Sequence, residues 1–175
     1  LGITLLISVI MACVFYNRSE KMIEENYLTV LYQRIRLLTD TVDDMMKNVC
    51  NIDIKASCDS EIKKELEAYL KDQNENRLSE ISSRLRIFAK MDQTISSLYL
   101  VIPDENKVVT TLDYPVYRSD VNEKSIQEFQ KKSGENNGPV IMDDLVHDEN
   151  KVMQFVEDVT DDNGNVLGYV CVNIE

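Results

Sequence analysis

The sequence holds very few of the residues from which catalytic and metal sites are built. His147 is the single histidine among 175 residues, and one histidine cannot form a multi-histidine metal site. The chain also lacks the phosphate-binding sequences GxxxxGK(S/T) and GxGxxG, the zinc-binding HExxH and the nucleophilic GxSxG. A Ser-His-Asp arrangement around His147 is formally open, yet a solitary histidine in an acidic loop is usually a solvated side chain. We therefore expect no enzyme activity and no cofactor in this stretch of chain.

A calcium loop is excluded by its spacing. The acidic segment Asp158–Asn165 contains one glycine, Gly164. Placing that glycine at the sixth position of an EF-hand puts Val159 at the first position, where a carboxylate is required. The pair Asn163-Gly164 is instead a strong signal for the turn of a β-hairpin. We predict a hairpin and no metal site.

Positive charge is scarce. The chain has 31 acidic and 19 basic residues and a net charge of −12, which disfavours nucleic acids and anionic lipid surfaces as partners. With 43% hydrophobic residues, it is long enough to fold around a core of its own. No low-complexity tract or internal repeat interrupts it.

The first 16 residues, Leu1 to Tyr16, carry no charge. A helix needs ~20 apolar residues to span the hydrocarbon core of a bilayer, so we expect the chain to begin inside a transmembrane helix. A cleaved signal peptide is the alternative, but the bulky residues from Phe15 to Arg18 leave no small-residue cleavage site. Tyr16 also suits a membrane interface.

A long helix is predicted after this apolar run. From residue 28 to residue 52 the apolar positions are spaced three and four residues apart without a fault, and no Gly or Pro interrupts them. This heptad seam consists of Leu28, Leu31, Ile35, Leu38, Val42, Met45, Val49 and Ile52. It can serve either as a parallel dimer contact or as the buried face of a helix packed on its own domain.

Four cysteines are present, and only Cys50 and Cys58 are plausible partners for each other. Cys13 and Cys171 lie in apolar runs and are predicted to be small buried side chains. On one continuous helix Cys50 and Cys58 would be ~12 Å apart, too far for a disulfide. A bridge therefore requires a helix break at about 56–60, and two free thiols are the alternative.

The rest of the chain changes from a helical period to a strand period. Two further helices are predicted, at 61–70 with Asp59 and Ser60 as N-cap residues, and from 78 to about 92. The segments that follow are a hairpin at 98–112, a loop at 113–122, a short helix at 123–132, a strand at 140–142 and a second hairpin with arms at 151–160 and 166–174. The prediction is an α+β fold in which helices precede a five-stranded antiparallel sheet.

This order of elements resembles an extracytoplasmic Cache domain, of the single Cache type with a PAS-like sheet. The residues that carry the resemblance are Ile81, Leu85 and Phe88, the run Ile95–Val101 and the closing segment Asp161–Val170. Similar stretches occur in the outer domains of bacterial sensor histidine kinases, membrane-bound transcription regulators and chemoreceptors. Cache domains that bind free amino acids carry a tryptophan in their recognition set, and this chain has none. That ligand class is therefore not carried over.

The resemblance implies the ligand-sensing domain of a transmembrane signalling protein, chiefly a sensor histidine kinase in the bacterial cell membrane, with the residues after about 17 extracytoplasmic. Residues 1–16 would be the transmembrane helix, 17–58 the signalling helix of a homodimer and 59–175 the helical segment and sensor domain. The expected partner is a small-molecule ligand or a ligand-binding protein. Any kinase transmitter would lie beyond Glu175. The alternative is a membrane-anchored coiled-coil module that dimerises or docks another protein.

In a PAS-like sheet the pocket for a small molecule would be lined by the central strands and covered by the loop after the second strand. The candidate ligand-binding residues are Tyr99, Tyr114, Tyr117, Arg118, Asp143 and Gln154. Arg118 could make a bidentate contact with a carboxylate. Each residue also has a structural alternative, since Tyr99 could belong to the core and Arg118 could pair with Asp120.

Overall fold

The computed structural model of the chain describes residues 2–111, 117–118, 126–127, 129–131, 139–143, 145 and 151–174. Three helices come first: α1 (Gly2–Ser57), α2 (Ser60–Asp72) and α3 (Glu75–Ala89). Six strands follow: β1 (Ile95–Ile102), β2 (Lys107–Thr110), β3 (Tyr117–Arg118), β4 (Val140–Asp143), β5 (Lys151–Thr160) and β6 (Val166–Ile174).

The chain divides into two compact units, residues 1–44 and residues 45–175. The first unit is formed by the N-terminal part of α1. The second unit contains the end of α1, the helices α2 and α3, and all of the strands. Across the described residues, no helical stretch has both the length and the apolar character that crossing a bilayer requires.

Helix α1 confirms the predicted long helix and corrects the predictions about cysteines. It continues through Cys50 to Ser57, and the N–H of Cys58 still bonds the Ile54 carbonyl at 3.0 Å. The helix break therefore comes after Cys58 and not between the two cysteines, as a disulfide would need. Both thiols are free, and the alternative with a bridge between them is wrong for this structure. Cys171 is buried as predicted, whereas Cys13 is exposed.

Helix α2 begins where its capping chemistry predicts. Asp59 is the N-cap residue, and its carboxylate accepts hydrogen bonds from the backbone N–H groups of Glu61 at 3.1 Å and Ile62 at 3.0 Å. The same carboxylate accepts a hydrogen bond from Nη2 of Arg84 on α3 at 2.8 Å. One side chain therefore starts α2 and ties it to α3.

The strands form one antiparallel sheet in the order β3-β2-β1-β6-β5-β4. All five predicted strands are present, which confirms the predicted fold class. The sixth strand, β3, falls inside the predicted loop and pairs only Tyr117 with Val109 and Arg118 with Val108. Residues 126, 127 and 129–131 are helical, within the helix predicted at 123–132. The second predicted hairpin is also confirmed: Gly164 has φ +85° and donates its N–H to the Asp161 carbonyl at 3.1 Å.

The sheet has two buried faces. The helix face packs against the end of α1, α2 and α3, and its core includes Val49, Leu66, Leu85, Leu100 and Val172. The far face, on the opposite side, forms a second cluster made of Tyr99, Val101, Val108, Ile126, Phe129, Val140, Leu145 and Cys171. Ile126 and Phe129 come from the segment that follows β3. These two side chains pack on the far face.

Candidate functional site

Three polar side chains lie side by side on the far face, across the neighbouring strands β1, β6 and β5. Asn173 of β6 is the register partner of Ser97 on β1 and of Gln154 on β5. Directly paired residues of an antiparallel sheet project to the same face. The three residues, which we call the polar row, are 3% (Ser97), 0% (Asn173) and 0% (Gln154) exposed. The strand register therefore buries three uncharged polar groups together.

The hydrogen bonds of the polar row are incomplete. Asn173 donates from Nδ2 to Oγ of Ser97 at 2.9 Å. Within the described part of the chain, Oδ1 of Asn173 and both Nε2 and Oε1 of Gln154 have no hydrogen-bond partner. A buried polar group without a partner costs ~1–3 kcal/mol, and a native domain contains only a few. The row is therefore a place where a bound molecule would gain hydrogen bonds that the protein does not make itself.

The other described side chains of the far face are mainly apolar or aromatic. Val140 of β4 is the register partner of Gln154, and Tyr99 and Cys171 form the neighbouring pair across β1 and β6. Phe129 meets Tyr169 edge to face, with ring centroids 5.6 Å apart. A small number of polar groups in an apolar lining is the composition typical of small-molecule sites.

The site carries no charge among these residues. Burial, followed by the nearby negative charge of Asp53, raises the pKa of Cys171 well above its usual value, so its thiol stays protonated at neutral pH. Ser97, Asn173 and Gln154 do not ionise in this range. What the described residues offer a ligand is hydrogen bonding and ring faces rather than ion pairing.

The structure brings two of the predicted site residues, Tyr99 and Gln154, to the far face, both fully buried. Tyr117 and Arg118 form the short strand β3 at one edge of the sheet. Asp143 ends β4 at the other edge, as the register partner of Lys151. Tyr114 lies outside the described residues.

Sequence reasoning missed Ser97 and Asn173. The one local signal was a polar residue inside the otherwise apolar run of β6. That signal does not reveal its partners, because Ser97 lies 76 residues earlier in the chain and the register that joins them is a long-range property of the sheet.

A second concave surface lies between α2 and α3 and is a weaker candidate. Its lining is largely charged and includes Lys64, Glu65 and Arg84. Arg84 is already engaged, because it bonds Asp59 at 2.8 Å and lies 3.2 Å from Glu61. These ion pairs link α2 to α3, and none of the described side chains that line this surface is a buried polar group without a partner.

Comparison with known proteins identifies the architecture. No family model and no curated protein matches the chain. The ligand-binding domain of the Campylobacter jejuni chemoreceptor Tlp3, solved with 4-methylisoleucine, matches with a TM-score of 0.54 and 15% identity over 78% of this chain and 52% of that one. The extracellular domain of vpHK1S-Z8, described as a histidine kinase, matches with a TM-score of 0.53 and 12% identity over 75% and 51%.

A domain of a sensory box/GGDEF family protein from Vibrio parahaemolyticus gives the same TM-score, 0.53, with 12% identity over 75% of this chain and 54% of that one. The chain has the fold of a Cache/PAS-like sensor domain. It spans about half the length of these solved domains. At such low identity the likeness establishes the fold of the chain and leaves its ligand open.

Proposed function

We propose that the chain is the extracytoplasmic ligand-sensing domain of a transmembrane signalling protein, chiefly a bacterial sensor histidine kinase. The observation that carries the proposal is the incomplete polar row, buried in the far face of a Cache-like sheet. Three atoms of Gln154 and Asn173 lack partners among the described residues. The solved domains of similar fold include one named as ligand-binding and one named as the extracellular domain of a kinase.

The route of the signal would be the end of α1. Val49 and Ile52 on this helix belong to the same buried core as Val170 and Val172 of β6. The strand β6 also carries Asn173 on its other face, so a ligand on the polar row and the helix both contact one strand. Binding would favour one of two packings of α1 against the sheet. A difference of a few kcal/mol in ligand affinity between these packings is sufficient to shift the population.

The partner of the earlier part of α1 would be a second copy of the chain. The heptad seam changes character along the helix: Leu31 is 40% and Val42 50% exposed, whereas Val49 and Ile52 are 0% and 3% exposed. The seam therefore packs in the core of its own chain at Val49 and Ile52, whereas its earlier positions are exposed in the single chain. A parallel homodimer would cover the uncovered part. Residues 1–16 would enter the membrane, and the transmitter would follow beyond Glu175.

Isothermal titration of the chain against pooled metabolites tests the sensing function. At least one pool is expected to release or absorb heat with saturation, and the heat should disappear with Gln154→Leu, which removes both unpartnered amide atoms of that residue. The exposed Gln93→Leu is the matched control and should bind as the natural chain does. A screen in which no pool binds contradicts the proposal.

The second candidate function is a membrane-anchored assembly module, and the exposed stretch of the heptad seam is the observation that favours it. The coding sequence beyond Glu175 separates the two candidates. A second apolar run followed by a transmitter supports the sensor, whereas a stop codon supports assembly.

A further inference from the structure

The unpartnered atoms of the polar row restrict the kind of molecule that fits. We propose, resting on the proposed function, that the row selects a neutral ligand group carrying both a hydrogen-bond donor and an acceptor, as a carboxamide or a lactam does. Carboxylates and ammonium or amidinium groups are selected against. The side chains Ser97, Asn173 and Gln154 thus define the chemical class of the ligand, which the sensing function alone does not.

The number of unpaired donors and acceptors in the polar row matches a neutral amide. Asn173 already uses Nδ2 on Ser97, so its Oδ1 needs a donor. Gln154 needs a donor for Oε1 and an acceptor for Nε2. A primary carboxamide offers two N–H donors and a carbonyl acceptor, which satisfies the three atoms one for one. A carboxylate only accepts and would place negative charge against two carbonyl oxygens, and an ammonium only donates and would leave Nε2 unpaired.

Pairing within the row would compete with a ligand. Gln154 and Asn173 are cross-strand partners, and their side chains are near enough for one amide to turn towards the other. A bond from Nε2 of Gln154 to Oδ1 of Asn173 would satisfy two of the three atoms. Oε1 of Gln154 would then need the second Nδ2 hydrogen of Asn173, the one not used on Ser97. In the structure neither of these bonds is made, so among the described residues all three atoms stay open to a ligand.

The side chains next to the polar row disfavour charged ligands. The described neighbours of the row in the sheet register include Tyr99, Val140 and Cys171, and none of these is an acidic or basic amino acid. Moving an ion from water into such surroundings costs several kcal/mol unless an opposite charge compensates. A zwitterion meets this cost at both of its charges. A neutral amide is desolvated far more cheaply and recovers its hydrogen bonds on the row.

The test is a titration of the isotope-labelled chain with acetamide, acetate and acetamidinium, followed through the side-chain NH2 resonances in ¹H–¹⁵N spectra. The three probes have nearly the same shape and differ in charge. The Gln154 resonance is assigned by its disappearance in Gln154→Met. Acetamide is expected to shift it saturably, with acetate and acetamidinium at least about tenfold weaker, since each leaves a buried partner unpaired.

Two variants keep the result interpretable. Gln93→Met, at an exposed position, should retain the preference for acetamide. Asn173→Asp replaces the acceptor by a carboxylate of the same shape, and the preference should move to acetamidinium. Circular dichroism of each variant confirms that it is folded.

The inference is overturned if acetate or acetamidinium shifts the Gln154 resonance as strongly as acetamide, or if acetamide leaves it unmoved. If a charged metabolite binds in the pooled screen and still binds to Gln154→Met, the proposed ligand class is wrong. The proposed sensing function is then still supported. When neither the probes nor any pool binds, the proposed function fails as well.

Discussion

Asp53, near the end of α1, is buried next to the like charge of Glu157 on β5. The Asp53 side chain is 1% exposed, and its Oδ1 has no hydrogen-bond partner among the described residues. Burial, and then the charge of Glu157, raise the pKa of Asp53 well above its ordinary value. Burial, and then Asp158, also raise the pKa of Glu157. A carboxyl group that resists ionisation therefore lies where the proposed signalling helix meets the sheet.

The first prediction is that this carboxyl makes the chain less stable as the pH rises. The folded state holds the Asp53 proton to a higher pH than the unfolded state, whose aspartate pKa is ~3.9. The free energy of unfolding should therefore fall as the pH increases from about 4 through the folded-state pKa. Asp53→Asn removes the ionisation and should flatten this decline, so that the stability of the variant relative to the natural chain increases with pH.

Urea unfolding between pH 4 and pH 8 measures this effect. The exposed Asp104→Asn is the matched control and should leave both the stability and its pH dependence unchanged. If Asp53→Asn shows the same decline with pH as the natural chain, Asp53 is not the group responsible.

The second prediction concerns the Asp59–Arg84 pair and has the opposite sign with pH. Burial opposes ionisation of Asp59, but hydrogen bonds from Arg84 and from the backbone of Ile62 outweigh it and lower its pKa. The stability that Asp59 supplies is complete above the unfolded pKa of ~3.9 and is lost as the pH falls through the lower folded value. The two aspartates together predict greatest stability near the unfolded pKa of ~3.9, where neither contribution has been largely lost.

Two substitutions separate the roles of Asp59. Asp59→Asn keeps an N-cap acceptor and loses the charge pair, whereas Asp59→Ala loses both. The alanine variant should be less stable than the asparagine variant by ~0.5–2 kcal/mol, the usual value of an N-cap. Thermal unfolding at pH 7 is the measurement. Equal stabilities would show that the cap contributes nothing and that only the charge matters.

The local sequence pattern predicted the helices and most of the strands, because these elements are determined by residues close together in the sequence. The period of apolar residues located α1, α2 and α3, and the capping residue Asp59 fixed the start of α2. The bridge between Cys50 and Cys58 was left undecided, because it depended on whether the helix continued past Cys50. The strand β3 was missed because two residues are too few to show a period.

The candidate site was predicted only in part, because the register between strands distant in sequence brings its residues together. Tyr99 and Gln154 lie on the far face, yet the polar row exists only once β6 brings Asn173 between Ser97 and Gln154. The heptad seam shows the same limit. Val42 and Val49 follow one repeat, and only the folded sheet determines that Val49 is buried while Val42 is exposed.

The third prediction tests whether a second copy covers the exposed part of the seam. Leu38 is on the seam and 66% exposed, and its neighbour Leu37 is off the seam and 68% exposed. Leu38→Glu should reduce the mass in solution from dimer to monomer, because it places like charges against each other across the seam. Leu37→Glu is the matched control and should keep the mass of the natural chain. Sedimentation equilibrium of the chain in detergent measures both, and an unchanged mass for Leu38→Glu contradicts a dimer through this face.

The fourth prediction is that Gln154 lowers the stability of the ligand-free chain. Both of its amide atoms are buried without a partner among the described residues, and methionine has a similar length and no group that needs a strong hydrogen bond. Gln154→Met should therefore raise the free energy of unfolding of the ligand-free chain by ~1–3 kcal/mol, while Gln93→Met at the surface should change it by less than ~0.5 kcal/mol. Chemical denaturation without added ligand measures both. If Gln154→Met is instead less stable than the natural chain, the Gln154 amide is paired in solution, and the hydrogen bonds reserved for a ligand are already made.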